Sequence, residues 1–307
     1  MTDPSIWNLF QGAELRQGYV VAGGLRTRYV QAGQGPALLM LHGNGGHLEA
    51  NLRAMARLMG DFTVYAIDMV AHGYTEAPPG RVGPQTYVDH VRAFLDVMGV
   101  ERAHVAGVSL GARVALWTAL VHPERVMKVI ANTGLPLAPA DETAAAEMRA
   151  AQQRSLAVTE TLTRDNMLAR LRGVIGDDRN IPDELIECRM RIYAQPGRAE
   201  IIKHLHFQNY EDMLTSANRP PWFGPGVLKA ITAPVLVVWT EQNPGHDLDL
   251  ARTAAALFPD GRLVVIPGAK HWPQWENPDA FVNAARDFLV APAAPPAGPD
   301  RRAIRPA

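Results

Sequence analysis

Apolar residues along this 307-residue chain fall into short runs rich in Val, Ile and Leu, separated by longer stretches in which apolar side chains recur every three or four positions. The short runs predict strands at Ala37–Leu41, Thr63–Ile67, His104–Gly107, Met127–Ala131, Val235–Trp239 and Leu263–Ile266. A hairpin over residues 18–32, turning at Gly23-Gly24, precedes them. The longer stretches predict amphipathic helices at about 48–60, 85–98, 110–121, 249–257 and 278–290. The last opens with Asn277-Pro278-Asp279-Ala280, where proline suits a first helical turn. Continuous apolar strands alternating with helices imply class α/β, with about eight strands in a mostly parallel sheet covered on both faces.

The alternation breaks once. From about Pro136 to Pro225 the strand signal disappears, and polar, charged helices such as Asp141–Glu160 and Asp183–Ala194 carry Met, Leu and Ile on one side. The expected organisation is a core of residues 1–135 and 226–290, with a helical cap, 136–225, inserted after the sixth strand. Residues 291–307 are dominated by Ala, Pro, Gly and Arg without apolar period, and are expected to form a disordered tail.

Composition narrows the partner. Hydrophobic residues at 47% and charged ones at 20% are an ordinary globular balance. Thirty basic against 31 acidic residues leave a net charge of −1, so no global field favours nucleic acid or an anionic membrane surface, and a small molecule is the expected partner. The single cysteine, Cys188, excludes an internal disulfide and a multi-thiolate zinc site and reads as a buried bystander. The stretch MTDPSIWN lacks a basic region followed by an apolar one, and the most apolar windows, Val114–Val121 and Val235–Trp239, fall short of the ~20 residues a bilayer requires. A cytoplasmic location is the expectation, and a homo-oligomer stays open.

The most specific chemical signal is Gly107-Val108-Ser109-Leu110-Gly111, set between a predicted strand and a predicted helix. That context suits a nucleophile elbow, a sharp turn that lifts a serine hydroxyl to the carboxyl end of the sheet. The helix beneath offers free N–H groups and a positive dipole end where an oxyanion develops, Leu110 among them. A serine needs a base, and His271 follows the last predicted strand in Pro267-Gly268-Ala269-Lys270-His271-Trp272. His90, His104, His122, His204, His206 and His246 read as surface or capping groups. A metal site is disfavoured, since the 10 histidines form no pair on one helical face, and no cofactor is called for. A second oxyanion donor is expected from His42-Gly43-Asn44-Gly45-Gly46-His47 after the first parallel strand, with Gly43 beside the substrate and Asn44 supplying the N–H.

On these motifs the chain resembles the α/β-hydrolase family from about Gly18 to Val290. Asp68-Met69-Val70-Ala71-His72-Gly73 keeps most of that family's Asp-x-x-Gly-His-Gly loop, with Ala71 in place of a glycine, and Asp68 and His72 are read as structural. Within the family the chain is similar to the meta-cleavage product hydrolases, which cut a carbon–carbon bond in 2-hydroxy-6-oxohexa-2,4-dienoates. His271-Trp272-Pro273-Gln274-Trp275-Glu276-Asn277-Pro278 resembles their histidine loop, and the stretches His42–His47, Glu49-Ala50 and Asp68–Thr75 add to the likeness. Glu184-Leu185-Ile186-Glu187-Cys188-Arg189 resembles their cap helix, which implies that Arg189 holds the dienoate carboxylate; a solvated helix arginine, with Arg191 nearby, is the alternative. The resemblance implies ketonisation of the dienol followed by attack of Ser109, or of a water activated by His271, on the distal carbonyl, with Trp272 packed against the substrate.

One departure concerns the acid that orients the histidine. The chain reads Thr240-Glu241-Gln242-Asn243 after Val235–Trp239, which puts Asn243 where the family has Asp. Asp247 is the chemically better partner if the loop bulges, and it is placed slightly ahead of Asn243. The same catalytic parts would serve a carboxylesterase or lactonase, and a non-catalytic binding protein on this fold is the third reading.

Overall fold

The computed structural model describes residues 5–215 and 221–291. Eight strands form one sheet: β1 (Leu15–Ala22), β2 (Leu25–Ala32), β3 (Ala37–Leu41), β4 (Thr63–Ile67), β5 (Ala103–Val108), β6 (Val126–Asn132), β7 (Val235–Trp239) and β8 (Gly261–Val265). Their order is β1-β2-β4-β3-β5-β6-β7-β8, with β2 antiparallel to both its neighbours and the rest parallel. Successive side chains of β3 enter opposite layers. Leu39 and Leu41 join one core and Leu38 and Met40 the other, which is why the strand reads as an unbroken apolar run.

The helices are α1 (Leu52–Leu58), α2 (Pro84–Val97), α3 (Leu110–Val121), α4 (Glu142–Glu160), α5 (Arg164–Arg172), α6 (Asp183–Tyr193), α7 (Arg198–Leu214), α8 (Pro225–Ala230), α9 (Leu248–Leu257), α10 (Pro273–Glu276) and α11 (Pro278–Val290). The mostly parallel α/β sheet matches the sequence reading. In detail β5 and β6 run one residue beyond their predicted bounds at each end, and the last strand is shifted, beginning at Gly261 and ending at Val265, one residue before the predicted Ile266. Helices α4 to α8 all lie between β6 and β7, and α5 and α7, which the apolar pattern left unresolved, each open at a recognisable boundary: Thr163 caps α5 by accepting from the Asn166 N–H, and Gly197 precedes α7 in a left-handed conformation. Of the expected tail, residues 292–307 lie outside the described residues.

Register decides where the site falls. Leu41 is level with Gly107, and Gly107 with Ala131, so β3, β5 and β6 end side by side and the loops after them emerge together. Asp68, at the end of β4, is buried and braces this edge, accepting from the N–H groups of Leu48 at 2.7 Å and Tyr74 at 2.9 Å, with Arg28 3.4 Å away. Ala71 adopts φ 65°, the left-handed region in which a glycine is unstrained.

Six of the buried histidines among the described residues, His42, His72, His90, His104, His206 and His246, make the fold sensitive to acid. Burial pushes His72, His90, His104 and His246 down to about 4 from an ordinary 6.5, and His42 and His206 well below it. The folded protein therefore binds fewer protons than the unfolded chain between these values and 6.5, so stability rises with pH across that window and is lost below it. Each of the four held near 4 contributes on the order of 3 kcal/mol, so their joint protonation is comparable with the ~5–15 kcal/mol that holds a domain folded. Cooperative unfolding followed by circular dichroism is expected with a midpoint between about pH 4 and 6. Unchanged stability down to pH 4 would contradict it.

Candidate active site

Strand β5 delivers Ser109 into a turn with φ 58° and ψ −115°, a strained backbone held by its surroundings. Two glycines permit it: a Cβ on Gly107 would lie 2.1 Å from the carbonyl oxygen of Gly111, and one on Gly111 2.4 Å from that of Leu41. The Ser109 N–H donates to Asn132 at 2.9 Å, and its carbonyl accepts from Ala112 and Arg113, so the turn is locked to β6 on one side and α3 on the other. The N–H groups of Leu110 and Gly111, which open α3, have no intrahelical acceptor. The loop after β3 closes over the serine: a Cβ on Gly43 would sit 3.3 Å from that of Ser109. Asn44 follows, buried, with its side-chain oxygen accepting from Asn209 of α7 at 3.1 Å.

His271 reaches the same cavity from the loop after β8. Its main chain is fixed at both ends, the N–H donating to Val174 at 3.0 Å and the carbonyl accepting from Thr133 Oγ1 at 2.8 Å. Its Nδ1 lies 2.6 Å from Asn243 Oδ1, while Asn243 Nδ2 donates to the His246 carbonyl at 3.2 Å. That second bond orients the amide, so Nδ1–H of the neutral ring donates to Oδ1 and Nε2 keeps its lone pair.

The preference for Asp247 is thereby corrected. Asp247 is exposed and caps α9, its Oδ1 accepting from the Leu250 N–H at 2.8 Å. The turn through Gly245 carries it away from the imidazole, and a carboxylate at a helix N-terminus satisfies an otherwise unpaired N–H and the helix dipole.

Ser109, His271, Asn243, Gly43, Asn44 and Trp272 all line one cavity. Arg189 is not among its lining residues. It is buried on α6, donating from Nη2 to the Gly45 carbonyl at 3.0 Å with its guanidinium 5.5 Å from the Trp272 ring, and Nε and Nη1 have no partner among the described residues. The cavity instead shows residues that the sequence reading missed: Arg113, Arg154, Arg170 and His246. Arg113 left a signal, since it is the one charged residue of the otherwise apolar α3. The reading of the remaining histidines as surface or capping groups holds for His122, which ends α3, and for exposed His204. It fails for His90, His104, His206 and His246, which are buried. His90 shows how such rings are accommodated, with Nε2 2.8 Å from Thr27 Oγ1 and Nδ1 accepting from the Val70 N–H.

The electrostatics of the site are cationic. Burial, and after it Arg170, His246, Lys270 and Arg113, push the half-buried His271 down to about 3. An amide partner supplies no charge to offset this. Cys188 is half-buried, and burial pushes its thiol up. It approaches His47 and Glu49, and the ligand atoms of the three lie within 4.8 Å of one another. Glu49 there is already paired with Arg28 at 2.6 Å and with His47 at 2.7 Å, so a guanidinium occupies the place a cation would need.

Residues 36–278 match the model of the alpha/beta hydrolase fold family. The chain is 31% identical to a 2-hydroxy-6-oxononadienedioate/2-hydroxy-6-oxononatrienedioate hydrolase of Comamonas testosteroni, over 86% of this chain and 91% of that one. It is 29% identical to a 2-hydroxymuconate semialdehyde hydrolase of Pseudomonas sp. (strain CF600), over 88% and 93% respectively. Among solved structures, a meta-cleavage product hydrolase from Pseudomonas fluorescens IP01 superposes with a TM-score of 0.75 at 25% identity, covering 89% of this chain and 97% of that one. Among the described residues, no helix is long and apolar enough to cross a membrane.

Proposed function

The chain belongs to the α/β-hydrolase family, and from that premise we propose that it is a cytoplasmic serine-type hydrolase cleaving a carbon–carbon bond in a 2-hydroxy-6-oxohexa-2,4-dienoate. In this reading residues 136–225 cap a core of residues 1–135 and 226–290. The observation that carries the proposal is the surplus of buried guanidinium groups in and beside the cavity, which a neutral ester would leave uncompensated and an anionic dienoate would pair. The names of the relatives supply the dienoate frame.

In this reading Arg189, which borders the cavity through Trp272 and Gly45 without lining it, pairs with the dienoate carboxylate once substrate displaces that wall, using Nε and Nη1, which have no acceptor among the described residues. Ketonisation moves the enol proton to C5 and sets a carbonyl at C2 as the electron sink. Ser109 then adds to the C6 carbonyl, giving its proton to Nε2 of His271, while the N–H groups of Leu110 and Asn44 hold the oxyanion. Breaking the C5–C6 bond sends the electron pair into the dienolate, which takes the proton held on Nε2 of His271 and leaves as a 2-hydroxydienoate, returning the histidine to its neutral form. Water, activated by the same histidine, releases the acid from Ser109.

The coloured dienolate makes this testable by stopped-flow absorbance. Wild-type protein is expected to bleach it in two phases, ketonisation and cleavage, with Arg189→Gln raising KM and slowing the first phase by about 10-fold or more, the scale of a lost charged hydrogen bond. Absence of bleaching alongside brisk turnover of an aryl ester would replace this reading with the carboxylesterase or lactonase one.

A further inference from the structure

The cavity carries more cationic recognition than one carboxylate needs. Arg113 lies one turn into α3 from Ser109, buried, with its guanidinium 5.9 Å over the Trp117 ring and Nη1 without a hydrogen-bond partner among the described residues. Arg170 comes from α5, also buried, with Nε likewise without a partner. Both line the cavity that holds Ser109 and His271, as does exposed Arg154. The acidic residue among the lining is Glu147, its Oε2 engaged by the Gly245 N–H at 2.6 Å, and buried Asp212, whose charge acts on Arg113, is itself paired with Arg81 at 2.7 Å. His246 adds a further buried nitrogen, Nε2, without a partner on the same wall. A desolvated guanidinium with an unused donor is costly unless a ligand completes it. Arg189 does not belong to this group, because it packs against Trp272 and Gly45 outside the cavity lining.

We propose that Arg113 and Arg170 form a second anion subsite, which takes a carboxylate carried beyond the carbonyl that Ser109 attacks, so that the preferred substrate is a dicarboxylate. The proposal rests on the carbon–carbon reading above and fixes the group at the far end of the substrate, in which the relatives' named substrates differ. The same cavity is also lined by Leu135, Met148, Ala151 and Val174, apolar surface suited to a short methylene chain. An aryl or alkyl substituent would fill the space and leave Arg113 Nη1 and Arg170 Nε, which have no partner among the described residues, without an acceptor. Anion binding here has a catalytic consequence as well. Arg113 and Arg170 both disfavour a proton on His271, together with His246 and Lys270, and a carboxylate between the two arginines cancels part of that field. The substrate thus supplies the negative charge that Asn243 does not.

The test compares two ring-opened dienoates with the same chromophore, one whose distal chain ends in a carboxylate and one ending in the primary amide of equal size. Wild-type protein is expected to favour the carboxylate by about 10- to 100-fold in kcat/KM, the scale of a charge-assisted pair. In Arg113→Met, checked for folding by thermal melting, that preference should collapse, with Arg170→Met lowering it in the same direction. Equal use of both substrates by the wild type, or an undiminished preference in Arg113→Met, would overturn the subsite. If neither dienoate is bleached, the carbon–carbon reading fails separately, and calorimetry with glutarate as the probe still decides the subsite. Binding by the wild type weakened about 10-fold in Arg113→Met supports it, and no difference between the two proteins refutes it.

Discussion

Ser109→Ala is expected to lower kcat for cleavage by at least about 10³-fold, because the acyl intermediate loses its attacking atom while the oxyanion donors and the binding groups remain. The substitution keeps the Cβ and therefore the φ 58° turn, which depends on Gly107 and Gly111 and not on the hydroxyl, so the fold and melting temperature should be little changed. Single-turnover absorbance separates the outcomes. Ketonisation that persists while cleavage stalls places Ser109 at the second step, whereas a loss smaller than about 10-fold would assign the attack to water and remove Ser109 as nucleophile.

The second large effect is a gain. Asn243 already selects the productive tautomer of His271, so Asn243→Asp keeps the acceptor 2.6 Å from Nδ1 and adds a charge to it, at the cost of the Nδ2 donation to the His246 carbonyl. In the wild type the ring faces Arg170, Arg113, His246 and Lys270, which with burial hold it down to about 3. Its neutral form is consequently complete at every pH at which the protein is folded, and the rate should show no acid limb from this group. A carboxylate at 243 raises the ring's proton affinity and stabilises the imidazolium that forms during attack. The expected result is a kcat on an aryl ester raised about 10-fold or more at pH 8, with an acid limb appearing near pH 6–7. The profile is read above pH 6, clear of acid unfolding. An unchanged rate and a flat profile would mean that proton transfer to His271 does not limit turnover.

Much of the fold was legible because its signals are local. Strands β4 and β7 coincide with the predicted Thr63–Ile67 and Val235–Trp239, since a strand buried on both faces must be apolar throughout. Helix α11 begins and ends as the Asn277-Pro278 cap and its periodicity require. The elbow was readable because Gly107 and Gly111 answer close backbone approaches that no other residue tolerates. Ala71 shows the limit of such motif reading: it holds the left-handed conformation without the glycine.

What the sequence by itself determined is therefore the α/β class, the elbow at Ser109, the loop carrying His271 and the departure at Asn243, each encoded within a few neighbouring residues. Only the tertiary structure decided that Asn243 and not Asp247 meets His271, because the choice depends on how the turn through Gly245 folds and on the pull of α9's N-terminus. It also decided that Arg113 and Arg170, from helices that flank β6 in the chain, share the cavity while Arg189 packs against Trp272 outside its lining. The physical reason is the same in both cases. Main-chain patterns follow local sterics and burial, whereas the meeting of charged side chains is set by packing between elements distant in the chain, which no local pattern records.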